Sequence, residues 1–89
     1  MMKTIKEVAS MGERVYVHLK DEETAMRFLR QAESEGFTFS DGVKPTDRHW
    51  SDLYAMHTDG TLNYVGANGR IHYGSGADGI VRIEYADLL

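Results

Sequence analysis

Lys44, Arg48, His49 and Trp50 bring basic side chains and the sole tryptophan together in one short stretch, the densest basic and aromatic cluster of the sequence. An arginine beside an accessible ring can hold a phosphate or carboxylate while the ring stacks on a base or anchors a partner. The structural alternative is that Trp50 folds back to plug the edge of the core. The histidines, His18, His49, His57 and His72, show neither the His-x-x-x-His nor the Glu-x-x-His spacing of a helical metal pair. Cysteine is absent, which excludes thiolate sites and disulfides. No metal and no cofactor is therefore expected. Ser40, Ser51 and Ser75 lie near acidic residues without a nucleophile-elbow pattern. A chain of 89 residues also leaves little room for a water-excluded cleft. The expectation is a non-enzymatic protein, with a small hydrolase as one alternative.

Two glycine-rich stretches, 66–70 and 74–79, invite comparison with phosphate-cradling loops. Neither ends in Gly-Lys-Ser/Thr, and neither reads as a strand running into a helix. Turn chemistry explains the first. The second has more small residues than a tight hairpin needs, and it could close over a ligand held by Arg70 or Arg82.

Composition narrows the class further. Residues 1–89 are read as one domain, with 42% apolar and 27% charged residues, too apolar for disorder. The net charge of −4 argues against generic nucleic-acid binding, which needs a clustered basic surface. The first twenty residues hold no apolar run long enough for a signal peptide or a membrane span, so a cytoplasmic location and no membrane partner are expected.

The elements that must position these residues follow from patterning. Thr4 and Glu7 have capping-box spacing, which starts a short N-terminal helix. Residues 14–20 alternate, with Val15, Val17 and Leu19 on one side and Arg14, Tyr16, His18 and Lys20 on the other. Asp21 then caps a main helix whose apolar positions are Ala25, Phe28, Leu29 and Ala32, and Gly36 with Phe37 forms its Schellman ending. A short strand at 37–39 precedes a long loop, 40–52, that has room for a helical turn. Asp59-Gly60 and Asn68-Gly69 both read as two-residue hairpin turns, and 80–85 is the last strand. The predicted fold is α+β, an antiparallel sheet of about four to five strands. One main helix packs on one face, with the short N-terminal helix beside it.

With two-residue turns, His57 would pair with Leu62, Met56 with Asn63 and Ala55 with Tyr64. The core face would then collect Leu53, Ala55, Leu62, Tyr64, Ile71 and Tyr73. Tyr54, Met56, Asn63, Val65, Arg70 and His72, joined by Arg82 and Glu84, would face water. One extra residue in either turn would exchange the faces beyond it. The expected ligand- or partner-binding set is Arg48 and Trp50 in the loop, with Tyr54, Arg70, His72 and Arg82 on the open face.

The segments Val15–Leu29 and Glu35–Thr46 are similar to small proteins carried by prophages and mobile elements of Gram-positive gut bacteria. No functional residue comes with that resemblance. It implies a setting in which small acidic accessory proteins act by binding, including as inhibitors of host defence. The expected function is a phage or mobile-element anti-defence inhibitor that sequesters a nucleotide-like signal or blocks a host protein surface. The alternative is an interaction or regulatory module with no small-molecule ligand. A homodimer is expected if the ligand is small, because a buried ligand would need a pocket shared between subunits.

Overall fold

A computed structural model describes residues 4–75 and 79–88. The chain begins with α1 (Ile5–Ala9), whose capping box closes as the sequence predicts. The Thr4 hydroxyl accepts from the Glu7 N–H, and the Glu7 carboxylate accepts from the Thr4 N–H. Strand β1 (Arg14–His18) leads into α2 (Glu22–Ser34), where Asp21 accepts the Thr24 N–H at 2.8 Å. The helix ends in a full Schellman motif. Phe37 N–H donates to Ala32 O, Gly36 N–H donates to Glu33 O, and Gly36 has φ +86°. Glu35 sits at this ending and accepts the Ile5 and Lys6 N–H groups at 2.8 and 2.9 Å, tying α1 to α2.

Strands β2 (Thr38–Phe39), β3 (Leu53–Met56), β4 (Thr61–Tyr64) and β5 (Ile80–Glu84) complete one five-stranded sheet in the order β2-β4-β3-β1-β5. The α+β class holds, but the sheet is mixed. β3 runs antiparallel to β1 and β4, while β1 with β5 and β2 with β4 are parallel pairs. The long loop carries one 3-10 turn, Pro45–Asp47.

Two elements differ from the sequence reading. The first hairpin pairs Met56 with Leu62, Ala55 with Asn63 and Tyr54 with Tyr64, one residue away from the predicted register. Its loop has three residues, 58–60, closed by His57 N–H to Thr61 O, with Gly60 at φ +88°. Glycine here serves the left-handed position of a three-residue loop rather than a two-residue turn. The second predicted hairpin is a helix, α3 (Ala67–Ser75). Residues 76–78 of the predicted 74–79 loop lie outside the described residues.

Both differences change the faces. Tyr54 and Met56, predicted to face water, are buried under α2 with Val15, Val17, Phe28, Phe39 and Leu62. The Phe28 ring stacks on Tyr54 at 5.6 Å and meets Tyr85 edge-on at 5.2 Å. The opposite face carries Tyr16, His18, Leu53, Ala55 and Asn63, and α3 covers part of it. The Tyr73 ring stacks on Tyr16 and His18, and Leu53 and Val65 are buried outside the main core.

Topology explains why a second helix lies there. β1 connects to β2 through α2 across two strands in one direction. β4 connects to β5 through α3 across two strands in the other direction. Two crossovers of one hand that run in opposite directions must lie on opposite faces, and parallel crossovers are nearly all right-handed. α3 therefore closes part of what the sequence left as an open platform.

Candidate functional site

Where β1 and β4 end, the chain turns to opposite faces of the sheet, and β3 begins at the same edge. Connections that diverge in this way leave a crevice beyond the strand ends, the common ligand position in open α/β sheets. At this edge a crevice of about 510 Å³ lies between the end of β1 and the start of β3, lined by His18, Leu19, Lys20, His49, Trp50, Ser51 and Asp52. Clefts of this size take small molecules.

Each wall is held from behind. Leu19 N–H donates to Asp52 O at 2.8 Å, which extends the β1–β3 ladder into the crevice. Ser51 N–H donates to the buried Tyr54 hydroxyl at 2.9 Å. The Tyr64 hydroxyl donates to His49 O. Arg70, reaching over from α3, donates to Asp52 Oδ1 at 2.7 Å and to Ser51 Oγ at 3.4 Å. That hydrogen bond and charge hold the Asp52 carboxyl below the usual carboxylate range. His18 Nδ1 lies 2.7 Å from Glu84 Oε1. Among the described residues, Lys20 makes no ion pair, and neither does the His49 side chain.

The crevice thus combines an indole, two imidazoles, an unpaired ammonium, a hydroxyl and a carboxylate already matched by arginine. This set can stack on a flat ring and hold an anion. Two other clefts have similar volumes. One, about 520 Å³, lies at the opposite end of the strands beside Ser40, His57, Asp59 and Asn63. Another, about 510 Å³, lies between α1 and the 58–60 loop. Volume does not separate the three. Neither alternative combines a tryptophan with unpaired basic groups, and among the described residues no cluster of three His, Cys, Asp or Glu could hold a metal ion.

The predicted binding residues do not form one group. Trp50 lines the crevice while packing partly against the core, so the binding and structural readings of this ring both describe its position. Arg70 stands beside it through Asp52 and Ser51. Arg48 pairs with Asp41 and lies 4.7 Å from the centre of the Phe39 ring, on the other side of the loop. Arg82 donates to Tyr73 O at 3.2 Å under α3. Tyr54 is 0% exposed and cannot line an open face; the one-residue register change put it in the core. His72 lies in α3, and its side chain is outside the described residues.

Sequence reasoning missed His18, Lys20, Ser51 and Asp52 as a group. One signal was available: His18 and Lys20 end a strand that runs directly into a capped helix, where α/β folds place ligand-binding groups. Among the described residues no helix is long and apolar enough to cross a membrane. Comparison with protein-family models, with curated proteins and with solved structures returns no match for this chain.

Proposed function

We propose that this chain is a non-enzymatic binding protein that captures a small anionic ligand with a flat ring, of nucleotide-like chemistry, in the crevice between the end of β1 and the start of β3. The observation that carries this reading is the arrangement of Trp50 and His49 beside Lys20 and His18 at that edge. The rings would stack on a base, and the cations would meet phosphate. In a mobile-element setting, such capture would withdraw a signal from a host defence system.

Trp50 is the sole tryptophan, so its fluorescence reports on this site without labelling. Titration with linear and cyclic nucleotides is expected to quench it and to raise the melting temperature together. Ligand at a hundred times its dissociation constant adds about 2.7 kcal/mol of stability. Trp50→Phe should keep the fold and weaken binding. No quenching and no thermal shift across the panel would refute the reading, and turnover of a nucleotide to product would replace it with hydrolysis. Sedimentation in the same titration tests whether a second copy closes over the crevice.

A second reading, a blocked host protein surface, draws on Ile71, 65% exposed on α3. Capture of a host protein that Ile71→Lys abolishes, with no response to nucleotides, would favour it.

A further inference from the structure

His18 is the crevice residue with the most elaborate support. Its Nδ1 is 2.7 Å from Glu84 Oε1, and its ring stacks on Tyr73 at 6.2 Å with the planes 23° apart. The far oxygen of the same carboxylate, Glu84 Oε2, is buried and has no hydrogen-bond partner among the described residues. A carboxylate kept dry on one side and committed to an imidazole on the other is a costly arrangement for a surface pair. It fixes the ring and leaves Nε2 as the nitrogen available to a ligand.

The groups facing His18 come from every neighbouring element. They are Glu84 from β5, Tyr73 from α3, Asp52 ahead of β3, Lys20 after β1 and His49 from the loop, with Arg70 next beyond Asp52 and Arg82 next beyond Tyr73. Arg70 and Asp52 are engaged with each other, and Arg82 is held by Tyr73 O. The carboxylate of Glu84 is thus the direct partner of the ring. With Nδ1–H given to Glu84, a neutral ring presents a lone pair at Nε2, which repels a phosphate oxygen. The imidazolium donates from both nitrogens, and it would stand between two anions once a phosphate is bound.

Resting on the crevice reading above, we infer that His18 holds the phosphate of the ligand, that Glu84 positions His18 for this, and that the ligand binds with uptake of one proton at Nε2. No covalent bond changes; the proton comes from solvent. Affinity for phosphorylated ligands is greatest where the imidazolium forms readily and falls as pH rises.

Isothermal titration of the unmodified chain with mononucleotides, cyclic dinucleotides and adenosine tests this. Buffers of different ionisation enthalpy report the protons exchanged. The expected result is uptake approaching one proton per phosphorylated ligand above neutral pH. Affinity should fall at least 10-fold between pH 6 and pH 8, and adenosine should not bind measurably. His18→Gln should lose at least 10-fold in affinity together with the proton uptake. Glu84→Gln should reduce both and move the ¹⁵N signature of His18 away from the Nδ1-protonated form. Nucleotide binding with no proton uptake, or unaffected by His18→Gln, overturns this inference and leaves the crevice reading standing. Failure of every nucleotide to bind the folded chain overturns both.

Discussion

The Tyr54 hydroxyl accepts the Ser51 N–H from a fully buried position, so this one side chain joins the core to the floor of the crevice. Tyr54→Phe keeps the ring stacked on Phe28 but leaves that N–H without its acceptor. The expected loss is about 1–2 kcal/mol, seen as a lower denaturation midpoint with an unchanged slope. Burial also pushes the Tyr54 phenol up to about 12, well above its value in an unfolded chain. The folded state therefore keeps its proton where the unfolded state gives it up. Stability from this group is complete below about pH 10 and is lost as pH rises through about 12. Melting temperature measured from pH 9 to pH 12 should fall over that window, and the fall should be shallower in Tyr54→Phe. The Tyr73 and Tyr85 phenols are also raised by burial, so the variant should retain part of the effect.

Among the elements, α1 and α3 are held by few contacts that can be tested separately. Glu35 caps the start of α1 from the end of α2, so Glu35→Ala should expose the Ile5 and Lys6 amides to faster hydrogen exchange while α2 stays protected. Gly69 lets α3 lie against the sheet, since a Cβ there would come within 2.5 Å of Val65 Cγ1 and 3.4 Å of the Tyr16 hydroxyl. Gly69→Ala should lift α3, with a cost of about 1–3 kcal/mol from overpacking and faster exchange at Arg70 and Ile71. Gly36→Ala has open space around it but a φ of +86°, so its cost of roughly 1–2 kcal/mol is purely one of backbone conformation.

These contacts also show why α3 was hard to read. Asn68-Gly69 is strong hairpin chemistry, and residues 70–73 alternate acceptably as a strand. The helical evidence is a single row, Val65, Gly69 and Tyr73, in which the middle residue matters for being small. A glycine that serves close approach looks the same in sequence as one that serves a turn. The capped helices were legible because Thr4, Glu7, Asp21 and Gly36 act on their own neighbours. The 58–60 loop was not, because Asp59-Gly60 fits two loop lengths and only the packing of Tyr54 and Met56 decides between them. The crevice was legible only as His49, Trp50 and Arg70. Its remaining residues come from segments whose meeting depends on strand order, which local pattern does not carry.

At the level of the whole molecule, α2 and the sheet share one core in which Phe28 touches both Tyr54 and Tyr85. Phe28→Ala should cost about 3–5 kcal/mol. A small domain has about 5–15 kcal/mol in total, so this variant should be near unfolding at 37 °C by circular dichroism. Because Tyr54, which Phe28 supports, also holds Ser51 at the crevice floor, the same variant should loosen the crevice.

Strand β5 lies beside β1, and His18 meets Glu84 across a sequence separation of 66 residues. During synthesis β1 is made well before β5, so its outer row of amides and carbonyls stays unmatched until β5 follows. That delay leaves the edge of β1 open to pairing with other nascent copies. Translation rate, more than temperature, should then govern how much reaches the native state in cells. A slower-translated gene of the same sequence should shift the yield between soluble protein and aggregate.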